Sequence, residues 1–140
     1  MKYLLDTCVI SEVVRPEPAT VVLQWLNAHH EGDLHLSVVT LAEIQKGIHK
    51  LADTHRQQRL QDWLENDLRQ RFAGRILPID DETALLAGQL QGQAERQGQR
   101  LPVMDCFIAA AAIAHHQVVV TRNVADLERC SATVINPWAG

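Results

Sequence analysis

The feature of this sequence that most restricts its fold is the alternation of short apolar runs with longer segments of helical periodicity. Five apolar runs have the length of strands, and they cover residues 3–5, 34–39, 75–79, 117–121 and 132–137. Strands that alternate with helices favour a parallel sheet between layers of helices. The sequence therefore predicts an α/β fold with a mainly parallel central sheet, in one domain over residues 1–140.

The segments between the apolar runs carry helical patterns. They predict helices over residues 7–14, 19–30, 40–51, 53–72, 81–96 and 103–116. The segment 53–72 is predicted to be one long polar helix, because Leu60, Trp63, Leu64 and Leu68 recur at helical spacing. The segment 103–116 is apolar on nearly every side, which is typical of a buried helix.

Composition limits the classes of protein that the chain can represent. Its 140 residues suffice for one domain with a core, and no apolar run is long enough to cross a membrane. We expect no secretory leader. The three cysteines are odd in number and widely spaced, which predicts reduced thiols in a cytoplasm. A net charge of −4 argues against a general nucleic-acid coat protein, but not against an enzyme that reaches a phosphodiester through a cation.

Three acidic side chains fall where predicted strands end or helices begin. Asp6 follows the first strand, Glu43 follows the second within a turn of helix, and Asp105 opens the apolar helix "MDCFIAAAAIAHH". Asp6 and Asp105 could simply cap helices. Thr40 and Glu43 have the spacing of a capping box. The functional alternative is that all three carboxylates face one crevice beyond the carboxyl ends of the strands.

A fourth polar group follows the fourth strand, in the stretch "VVVTRNVADLE". Thr121 ends that strand, Arg122 and Asn123 follow, and Asp126 lies three residues further on. One interpretation is a turn that leads into a short helix capped by Asp126. The other is that Asn123 or Asp126 completes an oxygen-rich site, with Thr121 supplying a hydroxyl.

Oxygen ligands of this kind suit Mg²⁺ or Mn²⁺ and require no histidine or cysteine. Several carboxylates with open water positions are the usual equipment for metal-assisted hydrolysis of a phosphodiester. Lys46 and Arg122 could contact phosphate, although a solvated surface charge is the simpler role for each. No glycine-rich phosphate loop or nucleophile elbow is present.

The ordered motifs resemble those of the PIN-domain ribonucleases, and most of all the VapC/FitB-like toxins of bacterial type II toxin–antitoxin modules. The stretches that carry the resemblance are "YLLDTCVISEV", "LSVVTLAEIQKGI", "LPVMDCFIAAAAIAHH", "VVVTRNVADLE" and "VINPWAG". The resemblance implies a three-layer α/β/α sandwich, a site for one or two Mg²⁺ or Mn²⁺ ions, and RNA as the substrate. It also implies a homodimer and a small antitoxin whose tail blocks the site.

The resemblance also implies a role for each matching residue. Asp6 and Asp105 would bind the metal directly, and Glu43 would bind it through water or orient the attacking water. Apart from the resemblance, Thr7 and Thr121 are candidates to contact the substrate or to support these acids. Two positions depart from the family pattern: Asn123 stands where an acid is often found, and Cys8 stands where the family often has Asn or Ser.

Two alternatives to a ribonuclease stay open from the sequence. One is a PIN-like module that has lost catalysis and only binds RNA or an antitoxin. The other is an aspartyl phosphotransferase-type hydrolase with Asp6 as nucleophile. That chemistry favours a second acid two residues later, where this chain has Cys8.

Overall fold

All five strands lie in one parallel sheet, in the order β3-β2-β1-β4-β5. The computed structural model describes residues 1–139. The strands are β1 (Tyr3–Leu5), β2 (Leu34–Ser37), β3 (Ile76–Leu77), β4 (Val118–Val120) and β5 (Val134–Ile135). The parallel arrangement predicted from the sequence is confirmed.

Helices connect the strands and cover both faces of the sheet. They are α1 (Thr7–Val13), α2 (Thr20–Asn27), α3 (Val38–His49), α4 (Thr54–Asp62), α5 (Arg69–Arg71), α6 (Asp81–Arg96), α7 (Val103–Ala114) and α8 (Val124–Arg129). A π-helical segment, Trp63–Leu68, joins α4 to α5, and short 3₁₀ turns cover Glu31–Asp33 and Pro137–Ala139. Each helix within residues 1–139 is too short or too polar to span a bilayer.

The sheet separates two apolar cores, and the alternation of side chains along β1 shows the division. Tyr3 and Leu5 face the core formed with α1–α4 and the π-helical segment, whereas Leu4 faces the core formed with α6, α7 and α8. Successive residues of a strand point to opposite faces, so a strand covered on both faces is apolar throughout. The three-layer α/β/α arrangement is therefore confirmed.

Helix α7 packs closely on the sheet because its buried face is built from small side chains. Four consecutive alanines, 109–112, are at most 1% exposed. Cys106 and Ile108 complete this face. The resulting close packing fixes the first turn of α7, and therefore Asp105, near the sheet.

The order of the strands reverses between β1 and β4. The chain moves outward from β1 through β2 to β3, and then returns to the other side of β1 with β4 and β5. The carboxyl ends of the two strands at such a switch point border a crevice in which α/β proteins bind ligands. Here these ends are followed by Asp6 and Thr121.

The predicted strands and helices were correct in kind but often too long. Three strands were predicted over residues 34–39, 75–79 and 132–137, and each spans only four or two residues. Helix α3 begins at Val38 instead of Thr40, because the hydroxyl of Ser37 accepts a hydrogen bond from the Val39 amide at 3.1 Å and caps the helix. The prediction of a capping box formed by Thr40 and Glu43 was wrong.

The predicted long helix over residues 53–72 is helical without a break from Thr54 to Arg71. Its middle turns, Trp63–Leu68, have π geometry, which the sequence did not predict. Leu64 and Leu68 of this segment are buried, while Leu60 and Trp63 are half-buried against the same core. The apolar side chains of this segment face the same core. Their spacing in the sequence therefore does not distinguish a π turn from an α-helical turn.

Candidate metal and phosphodiester site

Asp6 occupies the switch point and is held by two hydrogen bonds. Its Oδ1 accepts from the Thr7 amide at 2.8 Å, which caps α1, and its Oδ2 accepts from the Thr121 hydroxyl at 2.7 Å. The side chain is buried, and this burial raises the pKa of Asp6, while the bonds from Thr121 and Thr7 oppose the rise. Asp6 is thus both the predicted helix cap and a fixed carboxylate at the crevice.

Glu43 reaches the same end of the sheet from α3. The Thr7 hydroxyl donates to Glu43 Oε1 at 2.5 Å and lies 3.4 Å from the hydroxyl oxygen of the buried Thr40. Thr7 therefore links Asp6, through its amide, to Glu43, through its hydroxyl. The carboxylate that the capping-box interpretation directed to its own helix is turned instead toward α1.

Asp105, on the first turn of α7, is the acid most perturbed by its surroundings. Burial and then the negative charges of Asp6, Asp126 and Glu43 raise the pKa of Asp105 to about 6, and Arg129 opposes the rise only in part. Like charges raise a carboxyl pKa when they lie within several ångströms. The four acids therefore share one electrostatic site, drawn from four separate elements.

The segment after β4 supplies the remaining polar groups. Thr121 accepts from the Asn123 amide at 3.0 Å as well as donating to Asp6. Asn123 stands at the start of α8, but its side chain makes no capping hydrogen bond. Asp126 pairs with Arg129 and contributes to the pKa of Asp105. Charge thus favours Asp126 over Asn123 as the fourth member of the site, which stays a prediction.

Lys46 does not join this group of side chains. It is exposed on α3, and within residues 1–139 it takes part in no salt bridge. Contact between Lys46 and the substrate stays a prediction, and no salt bridge of Lys46 supports it.

The oxygen-only donor set fits a hard divalent cation such as Mg²⁺ or Mn²⁺, since a cation would offset the burial and the neighbouring negative charges that raise the pKa of Asp105. The types of these side chains suit such a cation, but the side chains are not already arranged around a cation position. Within residues 1–139, no three His, Cys, Asp or Glu side chains stand close enough to form a closed ligand set. A site of this kind leaves coordination positions for water and substrate.

A groove of about 740 Å³ leads away from Thr7 and Glu43 between α1, α3 and α4. Its floor includes Ile44, Ile48, Leu60 and Trp63. Its rim carries three arginines, at positions 15, 56 and 59. The groove opens onto the acidic site, and the arginine side chains along its rim are basic.

Sequence reasoning missed one buried acid beside the site. Glu12, on α1, is 4% exposed. Its burial has a signal in the sequence, because Glu12 lies three residues after the buried Val9 and therefore on the same face of α1.

The structure thus has a parallel sheet with an aspartate at its switch point and further acids on the helices that follow other strands. The PIN domain family matches residues 3–130, and the chain belongs to it. Membership of this family favours a nuclease over the aspartyl phosphotransferase alternative.

Individual relatives agree with this assignment over nearly the whole chain. Toxin FitB of Neisseria gonorrhoeae is 37% identical over 96% of this chain and 97% of its own length. VapC ribonuclease Y4jK of Sinorhizobium fredii is 36% identical over 96% of both chains. The crystal structure of FitAcB from Neisseria gonorrhoeae superposes with a TM-score of 0.90 at 37% identity, covering 97% of this chain and 98% of the other.

Proposed function

We propose that this chain is the toxin of a type II toxin–antitoxin module and an endoribonuclease that depends on Mg²⁺ or Mn²⁺. The observation that carries the proposal is that Asp6 and Glu43, linked through Thr7, lie at the switch point of the sheet. Burial and then the negative charges of Asp6, Asp126 and Glu43 raise the pKa of Asp105 to about 6. The relatives named toxin FitB and VapC ribonuclease support RNA cleavage as the activity.

Asp6 and Asp105 would hold the cation, and Glu43 would hold it directly or through a water. When bound, the cation would neutralise charge on the phosphoryl oxygens and make water a stronger nucleophile. Asp6 enters the reaction already oriented, because Thr7 and Thr121 fix both of its oxygens. Orientation before binding lowers the entropic cost of assembling the site.

Glu43 would orient the attacking water and take its proton. Thr7 binds only Oε1 of Glu43, which leaves Oε2 to accept a hydrogen bond from that water. Water would form the new P–O bond as the P–O3′ bond breaks in line with it, and the leaving O3′ would take a proton from solvent. The products would carry a 5′-phosphate and a 3′-hydroxyl.

The purified chain tests the activity directly. We expect cleavage of single-stranded RNA with Mn²⁺ or Mg²⁺, loss of cleavage with EDTA, and loss of cleavage in Asp6→Asn. Asp67→Asn is the matched control, because Asp67 is exposed on the π-helical segment away from the switch point. An inert wild type in both cations, or an Asp6→Asn variant as active as the control, would contradict the proposal.

The toxin role implies two protein contacts: an antitoxin that blocks the site and a second copy of the chain. Three free cysteines, two of them buried, are consistent with a reducing cytoplasm, where we place the protein. Purification with the product of a short neighbouring gene that has a DNA-binding amino terminus tests the antitoxin contact. Light scattering of the free chain tests the homodimer, and a monomer at micromolar concentration would contradict it.

A further inference from the structure

Glu12 is a buried acid that the proposed reaction does not use. Its Oε2 accepts from the Ala19 amide at 3.1 Å, and its Oε1 accepts from Trp138 Nε1 at 3.2 Å and faces Arg15 at 3.5 Å. The Ala19 amide first, and then Trp138, Arg15 and Arg122, lower the pKa of Glu12. Glu12 is therefore an acceptor that ties the indole of Trp138 to α1, and these partners favour its charged form.

The indole in turn supports Arg122. The guanidinium carbon of Arg122 lies 4.5 Å from the centre of the Trp138 ring, in a cation–π contact. The backbone amide of Arg122 donates to Cys8 Sγ at 3.4 Å, next to the hydrogen-bonded pair of Thr121 and Asp6. The backbone of Arg122 is thus fixed next to Asp6 and Thr121, and its side chain is fixed against Trp138.

The guanidinium is held by stacking and, within residues 1–139, makes no direct ion pair. Stacking on an aromatic face leaves the N–H groups at the edge of the guanidinium free to donate. Within residues 1–139, Arg122 takes part in no salt bridge, whereas Arg129, the other arginine of this segment, is paired with Asp126. Arg122 is exposed, so an incoming anion can reach these donors.

An RNA strand that approaches this site meets several carboxylates on a chain of net charge −4. A fixed guanidinium on a residue whose backbone adjoins those acids would offset the repulsion and bind a phosphate through two parallel hydrogen bonds. We propose that Arg122 binds a backbone phosphate of the RNA next to the scissile bond, and that Trp138 and Glu12 are positioning residues that aim it. This inference rests on the proposed ribonuclease function.

Steady-state cleavage and RNA binding together test Arg122. The binding assay follows the anisotropy of a short fluorescein-labelled single-stranded RNA in EDTA over a series of KCl concentrations. Arg122→Ala should raise KM about tenfold with little change in kcat. It should also reduce the slope of log affinity against log salt by about 0.7, the loss of one phosphate contact on a single strand. Arg96→Ala, an exposed arginine of α6, is the control and should change neither quantity.

The positioning role has a separate test. Trp138→Phe keeps an aromatic ring but removes the donor to Glu12, and Glu12→Gln removes the charge that holds it. Each should raise KM by part of the Arg122→Ala effect. The double variant Arg122→Ala/Trp138→Phe should be no worse in KM than Arg122→Ala alone, since the two residues act through one contact. Thermal melting checks that the variants are folded.

These measurements separate the proposed role of Arg122 from the proposed ribonuclease function. If the wild type cleaves RNA but Arg122→Ala keeps its KM and salt slope, the role of Arg122 is overturned and the ribonuclease function stands. A wild type that neither binds nor cleaves RNA overturns both. If Arg122→Ala weakens binding of an oligo-glutamate peptide but not of RNA, the guanidinium serves a protein partner and the proposal is wrong. Additive KM effects in the double variant would overturn the role of Trp138.

Discussion

The hydroxyl of Thr121 donates a hydrogen bond to Oδ2 of Asp6 at 2.7 Å, across the junction of the two central strands. Asp6 follows β1 and Thr121 follows β4, the neighbours between which the order of the sheet reverses. The bond therefore joins the two halves of the fold at the point where the proposed chemistry takes place. Its removal should affect both stability and activity.

Replacement of Thr121 by Val keeps the shape of the side chain and removes this donor. Because Asp6 is 4% exposed, its oxygen would be left buried with one hydrogen bond fewer. We expect the free energy of unfolding to fall by about 2 kcal/mol. The pKa of Asp6 should rise further, since the bond from Thr121 now lowers it.

Chemical denaturation measures the first effect of Thr121→Val, and the pH dependence of RNA cleavage measures the second, as a shift of the acidic limb to higher pH. Thr133→Val is the matched control, because Thr133 is exposed. If Thr121→Val has the free energy of unfolding and the pH profile of the wild type, the hydrogen bond from Thr121 to Asp6 contributes to neither.

The raised pKa of Asp105 predicts how stability depends on pH without metal. Folding raises this pKa from 3.8 to about 6, so between these values the folded chain binds more protons than the unfolded chain. The free energy of unfolding contributed by this group therefore falls as pH rises from about 4 to about 6. Below that range the group is protonated in both states, and above it the group is ionised in both.

Asp105→Asn removes this titration. In EDTA, the variant should gain melting temperature relative to the wild type as pH rises through this range, and the difference should level off above it. Melting curves recorded from acid to neutral pH measure the difference. Parallel curves for the two proteins would mean that folding does not raise the pKa of Asp105.

Glu43→Gln tests whether Glu43 acts in the reaction or only in packing. The amide oxygen of Gln can still accept from Thr7, so the contact between α1 and α3 should survive and stability should change by less than about 0.5 kcal/mol. The charge and the basic oxygen are lost, so kcat should fall about 10- to 100-fold. Glu95→Gln, an exposed acid on α6, is the control. A loss of stability with an unchanged kcat would assign Glu43 a structural role instead.

The fourth member of the site can be identified by comparing two variants. Asp126 acts on the pKa of Asp105, whereas the side chain of Asn123 makes no capping bond. Asp126→Asn should therefore lower the affinity for Mn²⁺ and the rate of RNA cleavage more than Asn123→Ala does. Equilibrium dialysis with Mn²⁺ and initial rates provide the comparison. The reverse order would place Asn123 in the site and leave Asp126 as a partner of Arg129.

The sequence predicted the layers and the positions of the acids because these depend on local patterns. Apolar runs such as residues 3–5 can only be buried between two helical layers, and an acid directly after such a run must lie at the sheet edge. Asp6 was therefore placed correctly, both as a helix cap and at the switch point.

Contacts between distant segments could not be derived in the same way. The spacing of Thr40 and Glu43 suggested a local cap, but Thr7, 36 residues earlier than Glu43, takes that carboxylate instead. The contact between Glu12 and Trp138 spans 126 residues. Such pairs depend on the docking of whole helices against the sheet, which local spacing does not encode.

The central claim is that carboxylates from separate elements form one divalent-cation site at the switch point. Titration calorimetry of the metal-free chain with Mn²⁺ tests it most directly. The account predicts binding by the wild type and by Asp67→Asn, and affinity at least about tenfold weaker in both Asp6→Asn and Asp105→Asn. Binding of equal strength in Asp105→Asn and the wild type would contradict it.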